Sequence, residues 1–309
     1  MSKLQPIKLI LLIFYVLILI FVFSGIIAMA AINYGRDYNF SFNGFIDPDL
    51  AQKFGGFFGG LIGTIFSISS VFLLIYSIIN QASENKKSEL RNYFFKMIDY
   101  HNENVEQLSI SHFDNTKDYL SKGRRAFVIF KLQISELLIL VREVANESGY
   151  KLNQIEVLDI AYKIFYYGLD RKWLDFMKDK LKKYTGKCPF IIENLVNKIE
   201  INKDRKIGRT NQTNLSTYFR NMYRAIEMVD GNVYLSNKEK SELIKIYRAQ
   251  LSNPELYVLF FNVTSSLGKK FKEKGFITKY SFIKNLPLDY CDGYNPKEYF
   301  LMEYEEDDE

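Results

Sequence analysis

The chain has 309 residues, 41 of them Lys or Arg and 36 Asp or Glu, a formal charge of +5, and a mean hydropathy of −0.12. That average conceals two unlike parts, because Lys3, Lys8, Arg36, Asp37, Asp47, Asp49 and Lys53 are the only charged residues before residue 81. Two histidines (His101 and His112) and two distant cysteines (Cys188 and Cys291) argue against a zinc ribbon or a histidine-rich metal centre and fit a reducing compartment, so no metal and no cofactor is expected.

Leu9 to Ile32 is a run of 24 residues without a charge, and Phe54 to Ile79 a run of 26. Each exceeds the roughly 20 residues that cross a bilayer core as a helix. Ala28-Met29-Ala30 has the look of a signal-peptide cleavage site, but the apolar stretch before it is longer than a signal sequence uses. Two spans are therefore expected, at about 9–32 and 54–79, forming a transmembrane hairpin over residues 1–80. Lys3 and Lys8 precede the first, and Lys86, Lys87 and Arg91 follow the second, whereas the connecting loop 33–53 carries only Arg36 and Lys53. This asymmetry places both termini in the cytosol.

The second span holds Gly55, Gly56, Gly59, Gly60 and Gly63, which give overlapping G-x-x-x-G spacings. Small residues four apart let helix backbones approach closely in lipid. The face suits self-association or packing on the first span, and both readings stay open. Between Gly63 and Gly123 there is no Gly or Pro. The second helix can therefore leave the membrane unbroken, and a stalk from Thr64 to Ile110 would be about 70 Å long.

Beyond residue 80 the periodicity is helical, and residues 81–302 read as a cytosolic helical-bundle domain, which makes the fold class all-α. Phe94, Ile98, His101, Val105 and Leu108 fall on one face of 91–108. Amphipathic helices follow at 124–147 and 154–168, then a basic helix at 171–184 containing Trp173, and another around 190–201. Residues 202–214 read as a loop. Leu215, Phe219, Met222, Ile226 and Val229 mark the next helix, 238–251 another, and Ser252-x-x-Glu255 is a capping box opening 254–267. No strand-period segment of useful length stands out, and the acidic tail 303–309 is expected to be disordered.

No Walker A loop, G-x-G-x-x-G, G-x-S-x-G or H-E-x-x-H occurs. No Arg lies four to six residues before either histidine, the spacing of a common class of helical nuclease. An enzyme is therefore not the leading expectation, and no catalytic residue is assigned. His101-Asn102 is the only polar pair on an apolar face, either a buried base or a core histidine held by a neighbouring helix. Arg220 and Arg224, with Tyr218 and Tyr223, could grip an anion; Glu227 makes an ion pair with Arg224 the plainer reading. Residues 171–209 hold twelve basic and five acidic residues. Their basic patch (Arg171, Lys172, Lys178, Lys182, Lys183, Lys203, Arg205, Lys206 and Arg209) could meet anionic lipid, nucleic acid or only solvent.

Three segments together carry a family resemblance. They are Phe94-Phe95-Lys96-Met97-Ile98 with His101-Asn102, then Tyr218-Phe219-Arg220 with Tyr223-Arg224, then Ala249-Gln250-Leu251-Ser252 with Glu255-Leu256 and Phe261-Asn262. In this order and spacing they resemble the phage abortive infection proteins, the AbiC-like membrane-anchored family, over most of 81–285. The resemblance implies a bacterial antiphage role, in which phage multiplication stops at the cost of the infected cell, and supplies no catalytic residues. Core packing and helix capping account for Phe94, Ile98, Ser252 and Glu255. His101, Asn102, Arg220, Tyr223, Arg224, Gln250 and Asn262 are left as candidate functional positions.

The expectation is a multi-pass protein of the bacterial inner membrane. Its cytosolic domain would sense infection or self-assemble and act through the membrane helices. The bilayer, further copies of the chain and a phage protein trigger are the expected partners. Two alternatives stay open: a membrane-tethered nuclease or other nucleic-acid-binding defence protein, and a tethered module that sequesters a phage protein.

Overall fold

In the computed structural model, residues 48–114, 117–201 and 207–307 are described, together with isolated positions between 15 and 26. The chain divides into two compact units, residues 1–78 and 79–309. The first expected span, 9–32, and most of the loop after it lie largely outside the described residues, so a two-helix hairpin is not established by them.

Helix α1, Pro48–Glu106, runs for 59 residues. Among the described residues one helix is long and apolar enough to cross a membrane, and this is it; its most apolar 18-residue window has a mean hydropathy of 2.2 and is almost wholly exposed. Leu61, Ile65, Phe66, Val71, Phe72, Leu74, Ile78 and Ile79 all face outward. Ser67, Ser69 and Ser70 donate their hydroxyls to the carbonyls of Gly63, Ile65 and Phe66, at 2.8, 2.7 and 2.8 Å. Polar side chains satisfied inside their own helix cost little in an apolar surrounding. Gly55, Gly56, Gly59, Gly60 and Gly63 lie on open surface, with nothing near the place a Cβ would take.

The stalk ends at Glu106, short of Ile110. Ser109–Asp114 (β1) and Lys117–Lys122 (β2) instead pair antiparallel, Ile110 opposite Ser121. This corrects the expectation of no strands: in Ser-Ile-Ser-His-Phe-Asp the two apolar residues, Ile110 and Phe113, are three apart, so the segment carries no period of two to be read. The chain is still mostly helical, as expected.

The second unit is built on helices close to the expected ranges: α2 (Arg125–Glu147), α3 (Gln154–Tyr167), α4 (Leu174–Lys180), α5 (Lys182–Thr185), α6 (Ile191–Ile201), α7 (Gln212–Asp230), α8 (Asn237–Arg248) and α9 (Asn253–Thr264). The single basic helix expected at 171–184 is a 3-10 turn, Arg171–Trp173, followed by the short α4 and α5. Asp170 caps the turn, and Met177, Leu181 and Tyr184, at the 4-3 spacing of one helical face, are all buried. Helix α9 is buried from Glu255 to Thr264, on every face. Its run Leu256-Tyr257-Val258-Leu259-Phe260-Phe261 offers no polar side to solvent, so it belongs in the centre. It packs on α2 and α3, and α2 also covers α6.

Two glycines fix the packing around this centre. At Gly268 a Cβ would lie 2.4 Å from the carbonyl oxygen of Asn262, so only glycine lets the chain turn back on the end of α9. Gly168 ends α3 at φ +82°, with Thr210 N 2.8 Å from where a Cβ would sit. In the acidic tail, expected to be disordered, the described contacts reach Glu306, while Glu305 and Glu306 themselves are exposed. Tyr304 is fully buried, Glu305 N donates to Lys284 O at 3.0 Å, and Leu288 N donates to a Glu306 carboxylate oxygen at 3.0 Å.

Candidate functional site

The buried end of α1 is held by helices distant in sequence. Phe94, Ile98, His101 and Val105 are buried along one face, the stripe expected from their spacing. The Phe94 ring meets that of Tyr247 on α8 with centroids 6.2 Å apart. Asn221 on α7 donates its amide to Met97 O at 2.9 Å. Earlier along α1, Glu239 at the start of α8 takes Arg91 at 3.0 Å and Lys87 at 3.5 Å.

At the centre of this junction lies a closed polar cluster. His101 and Glu255 are both 0 % exposed, and Nε2 stands 3.6 Å from Oε1. That is an ion-pair distance, longer than a hydrogen bond. The imidazole sits between the rings of Tyr218 (4.9 Å) and Tyr247 (5.0 Å). Tyr218 donates to Glu255 Oε1 at 3.4 Å. The other oxygen of Glu255 closes the cap of α9, accepting from Ser252 N at 2.9 Å and Ser252 Oγ at 2.5 Å. Among the described residues, neither ring nitrogen of His101 nor the Tyr247 hydroxyl has a hydrogen-bond partner. Burial pushes the Glu255 carboxyl up, but His101 and Ser252 together outweigh it and hold the carboxyl below its ordinary value of 4.5. Burial, and then the Glu255 charge, pushes the phenols of Tyr218 and Tyr247 well above theirs.

Enclosed on every side, this cluster links α1 to α7 and α9 through one carboxylate and to α8 through the ring of Tyr247. A substrate could reach it only if α1 moved. An open cleft of about 420 Å³ lies elsewhere, along α1 alone, lined by Asn85, Ser88, Glu89, Asn92, Tyr93 and Lys96, and shares no residue with the cluster.

The other candidates do not converge on it. Asn102 is half-buried beside His101. Arg224 is exposed and pairs with Glu227 at 2.6 Å, and the Tyr223 hydroxyl donates to the other oxygen of Glu227 at 3.0 Å. Arg220 is exposed, with no carboxylate at ion-pair distance among the described residues. Gln250 is half-buried and its backbone N–H closes the end of α8 on Tyr247 O. Asn262 is buried and donates to Tyr162 Oη at 3.1 Å, two turns along α9 from Glu255.

Part of the basic patch is paired within the fold. Arg171 grips Glu200 with both oxygens at 2.8 Å, Lys178 pairs with Glu193 at 2.8 Å, and Arg209 donates to Ser111 Oγ at 3.2 Å. The neighbouring Lys187 and Lys198 take Glu156 and Glu147, each at 2.5 Å. Lys172, Lys182 and Lys183 are exposed and have no carboxylate at that distance among the described residues. Lys203, Arg205 and Lys206 lie outside them.

A second buried cluster has no counterpart among the sequence candidates. Asp159 accepts from Tyr184 Oη at 2.6 Å and Ser266 N at 2.6 Å, and pairs with Lys163 at 3.1 Å; Lys163 also donates to Lys180 O. The signal was there: an Asp and a Lys four apart inside an otherwise apolar helix. With each Asp159 oxygen and the Lys163 ammonium partnered, this cluster fastens α3 to α4, α5 and the turn after α9.

A family model described as "Putative phage abortive infection protein" matches residues 210–290, about a quarter of the chain. Over that segment it bears out the resemblance read from the sequence. The segment contains α7, α8 and α9, and with them Tyr218, Tyr247, Ser252 and Glu255. No curated protein matches the chain, and no solved structure does.

Proposed function

We propose that this protein is a membrane-anchored effector of bacterial defence against phage, in which the helical unit acts on the membrane through α1. One observation carries the reading. The family-matched segment forms the socket that grips the buried end of α1, through Tyr218 and Asn221 of α7, Tyr247 of α8 and Glu255 of α9. The helix so gripped is the one whose apolar stretch lies open over a length that only lipid or a protein partner of equal length could cover. In this reading α1 spans the inner membrane from a cytosolic helical unit, a preceding span returns the N-terminus to the cytosol, and the Gly55–Gly63 face packs on that span or on a second copy.

A change at the socket, from a phage protein or from self-assembly, would then be passed along an unbroken helix. Any such signal needs a state in which α1 is held differently, and a ligand shifts that balance only by its differential affinity for the two states. The test is a phage challenge of cells expressing the wild type, Gly56→Leu/Gly60→Leu, or Glu255→Gln, with membrane potential followed throughout. The wild type should stop phage growth with a fall in potential. Both variants should lose protection while the protein is still made. Arrest with an unchanged potential would refute action on the membrane. Protection by residues 79–309 on an unrelated anchor would instead favour passive sequestration of a phage protein.

A further inference from the structure

A corner of the second unit away from the α1 socket carries a chain of aromatic rings on its surface. Tyr166 and Tyr167 end α3, Trp173 closes the 3-10 turn, and Phe176 lies in the first turns of α4. Each ring touches the next edge to face: Tyr166 to Tyr167 at 5.1 Å, Tyr167 to Phe176 at 5.3 Å, and Phe176 to Trp173 at 6.3 Å. Trp173, the only tryptophan of the chain, is 62 % exposed and Phe176 39 %. Aromatic side chains this open are costly in water and usually meet something. Positive charge lies along the same chain. Lys180 Nζ stands 5.0 Å from the centre of the Phe176 ring and 5.6 Å from that of Tyr167. At the other end burial and Tyr167 push the Tyr166 phenol up while the charge of Arg220 draws it down, and among the described residues no carboxylate lies at ion-pair distance from Arg220.

We propose that this ladder of Tyr166, Tyr167, Phe176 and Trp173, flanked by Lys180 and Arg220, is a binding surface for single-stranded nucleic acid. Unpaired bases stack on exposed rings whatever their sequence, and cations beside the rings take the phosphates. A duplex keeps its base faces covered and could not use the ladder. Charge placement favours a strand over an anionic bilayer. Phe176 and Lys180 share one side of α4, and Asp175 and Asp179 the side about 100° around the helix. From there the exposed Asp179 carboxylate comes within 4.0 Å of the Lys180 ammonium, a loose pair that a phosphate can displace. A flexible strand can follow the first side alone, whereas a flat anionic surface would press on both. The surface accounts for Arg220, which the α1 socket does not use. It stands independently of whether α1 acts on the membrane.

The full chain in detergent micelles, titrated with a 20-nucleotide oligo(U) or oligo(dT), tests this directly, because Trp173 reports its own surroundings. Saturable quenching of its fluorescence is expected, with a duplex of equal length binding at least tenfold more weakly. Engagement of Lys180 and Arg220 predicts that Lys180→Gln or Arg220→Gln reduces the salt slope of log K by about 0.7 each. With a labelled oligonucleotide, Trp173→Ala should weaken binding about tenfold and Trp173→Phe should restore most of it. Should the alanine variant fail to fold, the phenylalanine and glutamine variants carry the comparison. No binding at about 100 µM oligonucleotide, equal binding of duplex, or affinity unmoved by Trp173→Ala would each overturn the proposal. So would a Trp173 blue shift with phosphatidylglycerol vesicles and none of the quenching with oligonucleotide, which would assign the surface to lipid instead.

Discussion

Removing the charge of Glu255 tests whether the closed cluster ties α1 to the rest of the second unit. The pair His101–Glu255 is fully buried at 3.6 Å. At an effective dielectric of 20, an imidazolium and a carboxylate at this separation would attract by about 4–5 kcal/mol, offset in part by desolvation of both groups, and a neutral ring would contribute less. A coupling of about 2 kcal/mol is expected in a double-mutant cycle of His101→Gln and Glu255→Gln, read by urea unfolding of the full chain through Trp173 fluorescence. Each single variant should cost more than the coupling alone, about 2–4 kcal/mol. Glu255→Gln weakens the cap at Ser252, and either change leaves a buried polar group facing an unsuited neighbour. The acid limb gives an independent check. The Glu255 carboxyl is held below its ordinary 4.5, so its contribution is complete above that value and is lost as pH falls through the depressed folded value. Glu255→Gln should therefore be less stable than wild type at neutral pH, with the gap closing below about pH 4. A coupling under about 0.5 kcal/mol, together with parallel pH profiles, would show that the two groups merely adjoin.

Other positions give further expectations. Gly268→Ala should destabilise the second unit by about 3 kcal/mol or more, because its Cβ would strike the backbone of Asn262 and Val263 at 2.4 Å; a thermal melt reads this, and a near-neutral result would mean the turn can move. Asp159→Ala should cost about 3–5 kcal/mol in the same melt, since it leaves Lys163 buried without its carboxylate and strips Tyr184 and Ser266 of their acceptor. Arg224→Ala should change stability by less than about 1 kcal/mol, because its pair with Glu227 is exposed; a larger loss would give Arg224 a role beyond that pair.

Much of this architecture follows from local pattern. The spacing of Phe94, Ile98, His101 and Val105 fixes which side of α1 is buried, because a 3.6-residue period returns to one face wherever the helix lies. Ser252 and Glu255 announce the start of α9 for a similar reason, since a capping box is closed within four residues. The unbroken run from Gly63 to Gly123 permits a long helix, but its end at Glu106 does not show there. A hairpin of six-residue strands replaces the last turn, through pairing that a single strand does not encode.

Local pattern cannot say what a buried face is buried against. His101 reads as a packed core ring, with a buried base as the alternative, and nothing names its neighbours until the fold brings Tyr218, Tyr247 and Glu255 around it, from three helices far along the chain. Glu255 reads as a cap and nothing more, yet its second oxygen lies at the centre of the α1 socket. The excess of basic residues at 171–209 is plain in the sequence, but Glu147 and Glu156 lie outside that window and only tertiary packing sets them opposite Lys198 and Lys187. Trp173 is plain in the sequence as part of a basic helix, but only the fold shows that Met177, Leu181 and Tyr184 form the buried face and that Trp173 and Phe176 stay outside. The sequence alone determined a long apolar helix joined to a helical unit with defined inner faces, because hydrophobic period and capping act over a few residues. Which faces meet, which charges cancel and which rings stay exposed were decided by the tertiary structure, because burial and electrostatics depend on neighbours that chain order does not supply.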